Sequence, residues 1–235
     1  MTISIVVPVR HDSRATLAVK RLRDFAKRQE LDIELITCGE LSADLNPEAD
    51  QHVQVVPALK GRCVREGVLA SHGTYIIVLD ADLPIEDEDI FNLLTATMRS
   101  EVVIGDRRGS GSSQRPLSRR IASIGYKALV GCLFGVRKLD VQSGAKGFQA
   151  ASARHLFIAQ TIRGLAYDLE VVLNAKDEGM CIEQIPVTWS HKDSTISLWK
   201  AIPGVLIEVV ALRVRRWWNR IRPSHLSSFM QFSKL

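Results

Sequence analysis

The chain has 235 residues, 46% of them hydrophobic and 24% charged, which excludes a disordered chain and suits one large domain or a domain with an appendage. Its net charge of +5 is uneven: residues 200–235 carry seven Lys or Arg against Glu208 alone, and the other 199 residues sum to −1. A near-neutral body argues against a nucleic-acid-coating protein, while the basic tail points to a local anionic partner.

Met1-Thr-Ile-Ser-Ile-Val-Val-Pro8 lacks a basic region and a cleavage site, so it reads as a first strand, Ile3 to Val9, and not as a signal peptide. Arg10-His11-Asp12 follows as a loop, and Asp12 or Ser13 can cap a helix with Leu17, Leu22 and Phe25 inward. Asp32 to Thr37 and His52 to Val56 read as strands. Lys60 to Ser71 is helical in pattern, with Val64, Val68 and Leu69 inward, and His72-Gly73 ends it. Tyr75-Ile-Ile-Val-Leu-Asp80-Ala-Asp82 is a short apolar run ending in two carboxylates. It reads as a strand buried on both faces, with Asp80 and Asp82 at its carboxyl end, the edge where open α/β sheets bind ligands. Two carboxylates there suit Mg²⁺ or Mn²⁺ carrying a substrate phosphate; an Asp-rich helix cap is the other reading.

Glu86-Asp87-Glu88-Asp89 places acids in the first turn of a helix to Met98, a better fit than a second metal site. Glu101 to Asp106 returns as a strand, and the alternation predicts an α/β fold with a largely parallel sheet. The Gly/Ser stretch 109–113 is a flexible loop flanked by Arg107, Arg108, Arg115, Arg119 and Arg120. Ile121 to Val136 is an acid-free apolar helix. Asp168 and Glu170 open a helix towards Lys176, and Met180 to Trp189 is an edge strand because Pro186 lies inside it. Ala201 to Arg222 is too short in its apolar part for a span of about 20 residues. As a helix it puts Val210, Val214, Trp217, Trp218 and Ile221 on one face, with Arg213, Arg216 and Arg220 beside it. Tryptophan next to arginine favours a lipid headgroup boundary, and packing on the core is the alternative.

No GxGxxG, GxxxxGK[ST] or GxSxG occurs, so dinucleotide redox chemistry, P-loop hydrolysis and a hydrolase elbow lack support. Cys38, Cys63, Cys132 and Cys181 are scattered, with neither a zinc pattern nor a disulfide framework, so a reducing compartment is expected.

Several motifs in order carry a resemblance. They are Lys60-Gly61-x-x-Val64-Arg65-x-Gly67, Asp80-Ala-Asp82-Leu83, Ile104-Gly105-Asp106-Arg107, Pro116-Leu117-Ser118-Arg119-Arg120, Asp140-Val141-Gln142-Ser143-Gly144-Ala145-Lys146, Ala166-Tyr167-Asp168-Leu169-Glu170 and Ile185-Pro186-Val187-Thr188-Trp189. Residues 1–196 resemble the inverting GT-A glycosyltransferases that act on polyprenyl phosphates, the dolichyl-phosphate mannose synthases and glucosyltransferases, with Tyr-Asp-Leu-Glu leaning to the glucosyl branch. The resemblance implies a GT-A domain over 1–196 and a membrane-surface segment over 197–235. It implies a nucleotide-sugar donor, a polyprenyl-phosphate acceptor, a divalent metal, no nucleic-acid partner, and a cytoplasmic position at the membrane surface. Asp80 would contact the donor, and Asp82 with Gln142, and Asp80 beside them, would hold Mg²⁺ or Mn²⁺. Arg107 and Arg119 match the family's phosphate-binding arginines, whose forks suit a phosphate. Pro8, Lys60, Arg65, Lys146 and Glu170 fall in its substrate-binding motifs. Asp168 would order the acceptor side or act as base for an alcohol acceptor, a carboxylate at a helix N-terminus being the alternative. Two stretches depart from the family: Pro8-Val9-Arg10-His11-Asp12 replaces Pro-x-Tyr-Asn-Glu, and Cys38-Gly39-Glu40 replaces a strand-ending Asp-Asp. Both lie on the nucleotide-base side. An acceptor hydroxyl, or a non-catalytic nucleotide-sugar module, are the rival expectations.

Overall fold

The computed structural model describes residues 2–9, 13–40, 48–107, 117–189 and 198–221, and their side chains except 13–15, 117–122, 198–200 and 220. Among the described residues, seven strands form one sheet: β1 (Ile3–Val9), β2 (Ile33–Gly39), β3 (Gln51–Gln54), β4 (Tyr75–Leu79), β5 (Val102–Asp106), β6 (Ala145–Gln149) and β7 (Ile182–Pro186). Their order is β3-β2-β1-β4-β6-β5-β7. All neighbours run parallel except β6, which is antiparallel to β4 and β5. The helices are α1 (Ser13–Arg28), α2 (Lys60–Ala70), α3 (Asp87–Thr97), α4 (Leu117–Phe134), α5 (Ala150–Ala159), α6 (Tyr167–Asp177) and α7 (Leu198–Ile221).

β4 shows why an unbroken apolar run was needed. Ile76 and Val78 join one core with α2, α5 and α6, while Ile77 and Leu79 join the other with α1 and α3. Both faces of the strand are covered, so both sets of alternating side chains must be apolar. Pro8, which cannot donate a backbone hydrogen bond, sits past the last β1–β4 pair, Val6 and Val78. Pro186 likewise ends the edge strand β7.

One expectation needs correction. Leu17 faces solvent at 68% exposure; Ala18, Val19, Leu22 and Phe25 form the inward face of α1. The acidic run is a helix start: Glu86 and Asp89 make a capping box at α3, and Asp89 also accepts from the Thr188 amide at 2.9 Å. The segment around Lys146 contributes β6, the strand that reverses direction, and α5 follows it directly.

α7 does two things at once. Val209 and Leu212 are buried in the core, while Ile207, Val210, Val214, Trp217 and Ile221 form an exposed stripe at helical spacing. Arg216 belongs to the inner side, pairing with Asp177 and donating to Asn174 at 3.2 Å. Among the described residues no helix is long and apolar enough to cross a membrane.

Candidate active site

Parallel strands deliver their carboxyl ends to one edge of the sheet, and antiparallel β6 brings its beginning there. Asp80 therefore meets Gly144 and Lys146 at the same edge. The Asp80 amide donates to the Gly144 carbonyl at 3.0 Å. A Cβ at Gly144 would lie 2.0 Å from the Asp80 carboxylate, so only glycine allows this approach. Gln142 is two residues away on the same turn.

The chain turns sharply after Asp80, with the Leu83 amide donating back to the Asp80 carbonyl at 2.9 Å. Leu83 adopts a φ of 38°, a left-handed conformation that a leucine takes only when its surroundings impose it. Those surroundings are visible: Leu83 is buried, and Arg21 of α1 donates to the carbonyls of Leu83 at 3.2 Å and Ile85 at 2.8 Å. The burial of Leu83 and the Arg21 bonds hold the strained turn that carries Asp82.

Lys60, the first residue of α2, pairs with Asp80 at 2.7 Å, and its ammonium lies 6.0 Å from the Tyr167 ring centre. Burial lowers the Lys60 pKa, but Asp80, then Asp168 and Asp82, outweigh it, and the net direction is up. Lys146 faces Asp168 at 2.5 Å in a nearly water-free position, and it also donates to the Ser143 carbonyl. Burial dominates there and moves the lysine down, against the pull of Asp168. The Tyr167 phenol is pushed well up by burial, with Asp168 and Asp80 adding to it.

Arg107 leaves the end of β5 and forms a bidentate pair with Asp140, both contacts at 2.8 Å. Its guanidinium stacks 5.0 Å from the Trp189 ring centre. Burial raises the Asp140 carboxyl, yet Arg107, with Lys127 behind it, holds it well below the usual carboxylate range. Asp80 and Asp168 also act on Arg107, so its charge belongs to the same cluster.

Asp80, Asp82, Lys60, Lys146, Asp168 and Arg107 thus come together. Pro8 is half-buried on β1, towards the same edge. Two expected substrate residues do not join them. Glu170 is wholly buried and accepts from the Thr161 amide and hydroxyl and from the Ile162 amide at 2.7 Å, with Arg215 paired against it. It is a strut, because every direction around its carboxylate is taken by the protein. Arg65 reaches the Phe157 carbonyl at 3.0 Å and Glu66 at 2.8 Å, tying α2 to α5. The helical twist between Lys60 and Arg65 turns it away from the Asp80 side. Arg119 lies on α4, but its side chain, like Asp12 and loop 109–113, is outside what the structure describes. Glu40 accepts from the Ala58 amide at 2.8 Å and so shapes the approach to Lys60. Sequence reasoning missed Arg21, Gly144 as a contact, and Tyr167.

Among the described residues no group of three or more His, Cys, Asp or Glu gathers as a metal cage. Asp80 and Asp82 lie on one turn, and Gln142 is two residues from the Gly144 that Asp80 touches, which makes a smaller candidate oxygen set. That set fits a Mg²⁺-like ion, which is commonly held by one or two carboxylates together with substrate phosphates.

Two solved structures show what architecture this is. Mannosyl-3-phosphoglycerate synthase from Rubrobacter xylanophilus superposes with a TM-score of 0.69 at 15% identity, over 97% of this chain and 77% of that one. The fold is GT-A. Glucosyl-3-phosphoglycerate synthase from Mycobacterium tuberculosis, in complex with Mn²⁺ and UDP-glucose, matches with a TM-score of 0.65 at 15% identity, over 90% of this chain and 78% of that one. No family model matches the sequence. Among curated relatives, dolichyl-phosphate beta-glucosyltransferase of Trichomonas vaginalis is 31% identical over 143 residues, 58% of this chain and 44% of that protein. Undecaprenyl-phosphate mannosyltransferase of Micrococcus luteus is 25% identical over 155 residues, 63% of each. The chain spans about half the length of the first of the dolichyl-phosphate relatives it matches. The similarity to polyprenyl-phosphate glycosyltransferases expected from the motifs is thus found in the relatives themselves.

Proposed function

We propose that this chain transfers a hexose from a nucleoside-diphosphate sugar to a polyprenyl phosphate, inverting the anomeric centre, at the cytoplasmic face of a membrane. The observation that carries the reading is the division of the sheet edge: Asp80 and Asp82 stand on one side, and the cations Lys60, Lys146 and Arg107 surround and oppose them. The names of the relatives supply the sugar and lipid classes.

Asp80, Asp82 and Gln142 would hold Mg²⁺ or Mn²⁺ with the donor's diphosphate. Once bound, that ion neutralises charge building on the leaving group. The residues of the chain do the rest. Lys60 holds Asp80 in place and contributes a positive charge beside the diphosphate. Asp140 and Trp189 fix Arg107 in one orientation, so its charge is preorganised near the acceptor phosphate, with Arg119 as the second cation on α4. An acceptor phosphate oxygen attacks the anomeric carbon as the bond to the diphosphate oxygen breaks, from opposite faces. That oxygen is already anionic, so the reaction needs positioning more than a base. Asp168 accordingly serves by holding Lys146.

The exposed stripe on α7 suits a lipid surface. An ordinary surface helix turns its apolar side inward; α7 buries Val209 and Leu212 but also keeps Ile207, Val210, Val214 and Trp217 outside, with Arg215 and Arg216 pairing on the inner side. The net positive tail favours anionic headgroups.

The test is incubation of the protein with UDP-glucose or GDP-mannose, Mn²⁺ and undecaprenyl phosphate in vesicles, with products weighed by mass spectrometry. One hexose added to the lipid phosphate is expected. No glycolipid from any common donor would overturn the reading.

A further inference from the structure

α7 touches the site from behind, through the segment 160–166. On its inner side the Glu208 carboxylate accepts from the Ala166 amide at 3.0 Å. It lies so close to Gly164 that a Cβ there would come within 2.1 Å of it. About two turns further on, Arg215 pairs with buried Glu170, which holds the amides of Thr161 and Ile162. Both ends of 160–166 are thus fastened by acidic side chains, one on α7 and one secured by α7.

That segment in turn closes the start of α2. The first amides of a helix lack partners inside it. Here Gly164 and Arg163 supply their carbonyls to the amides of Gly61 at 3.2 Å and Arg62 at 3.0 Å. Gln160 adds bonds to the carbonyls of Gly61 at 2.9 Å and Ile162 at 2.6 Å. α2 has no side-chain cap of its own. A Cβ on Gly61 would lie 2.6 Å from the Tyr167 Cβ, so the starts of α2 and α6 are in direct contact. Lys60, which pairs with Asp80, and Asp168, which pairs with Lys146, are the residues on either side of this junction.

We propose that Glu208 is a positioning residue: through segment 160–166 it sets Lys60 and Asp168 in register, so that α7 is part of the catalytic framework as well as a candidate membrane contact. The inference rests on the transferase reading for its activity measurement. A helix acting only as an anchor matters when the acceptor is in a bilayer. A helix that positions the site matters equally when the acceptor is dissolved in water.

The experiment uses the full chain, a short water-soluble isoprenyl phosphate as acceptor, and no vesicles. Glu208→Ala should lower kcat by about tenfold or more, because small displacements of reacting groups are costly. Its binding to anionic vesicles should stay unchanged, since the outer stripe is untouched. Glu208→Gln, which keeps an oxygen for the Ala166 amide, should recover kcat to within about threefold of the wild type. Hydrogen exchange at the Gly61 and Arg62 amides should speed up in Glu208→Ala and not in Glu208→Gln. Gly164→Ala, which drives the segment off Glu208 by a methyl group, should repeat the loss and serves if Glu208→Ala does not fold. Full kcat in folded Glu208→Ala or Gly164→Ala, or unchanged protection at Gly61 and Arg62 in Glu208→Ala, would overturn the positioning role. A wild type that makes no glycolipid would instead count against the transferase reading, and the exchange measurement would still decide the positioning claim.

Discussion

Lys60–Asp80 and Arg107–Asp140 close the same sheet edge from two sides, and water reaches them differently. The side chains of the first pair are 23% and 26% exposed; those of the second are 16% and 1%. An open pair can exchange one partner for a diphosphate or a metal at little cost, since solvent screens the separated charges. A closed pair cannot, because removing one partner strands the other in a low-dielectric site. Under the proposed function the Asp80 half would be remade during turnover, while the Asp140 half stays as it is. Lys146–Asp168 is closed as well, with 3% and 5% exposure, which groups Asp168 with the fixed part of the site.

The sharpest way to break that distinction is through Asp80. If Asp80 orients the donor as proposed, Asp80→Asn should cut transfer on the order of a hundredfold, because orientation decides rate. Its folding stability should change by no more than about 1 kcal/mol. Steady-state kinetics and urea unfolding measure both, and a large loss of stability with activity retained would reverse the roles of the two pairs.

Asp140→Asn should do the opposite first. It leaves Arg107 without its counter-charge and should cost about 3 kcal/mol in urea unfolding. The pH dependence has a definite sign. Arg107 holds the Asp140 carboxyl below its unfolded value, so the contribution is complete above about pH 4 and disappears as pH falls further. The stability gap between wild type and Asp140→Asn should therefore narrow on acidification below about pH 4. A gap that stays constant to low pH would mean that the pair contributes shape and not charge.

Much of this arrangement was legible in the sequence, and the pattern of what was not has physical causes. β1, β4 and α2 announce themselves by apolar runs and clear stops, and Pro186 marks β7 as an edge. β6 does not, because Ala145-Lys-Gly-Phe-Gln149 has neither alternation nor β-branched residues, and its lysine is buried by pairing with Asp168. Spacing placed Asp80 and Asp82 at the sheet edge, and the family resemblance added Lys60 and Arg107. Spacing could not separate Asp168 from Glu170, two carboxylates two residues apart on α6. One residue of helix is about 100° of rotation, so two residues nearly reverse the direction of a side chain. Asp168 turns to Lys146 and the site, and Glu170 turns to segment 160–166 and α7. The amphipathic tail was readable as a helix with an apolar face, but not the polar inner seam of Glu208 and Arg215, whose partners lie about forty residues earlier.

The central claim is that this edge serves an acceptor that brings its own negative charge. Equal concentrations of an isoprenyl phosphate and the isoprenol of the same length, offered with the same nucleotide sugar and Mn²⁺, test it directly. The arrangement of Arg107, Lys60 and Lys146 predicts hexose transfer to the phosphate alone, with product from the alcohol below detection. Comparable transfer to both acceptors would contradict it and return Asp168 to the role of a base.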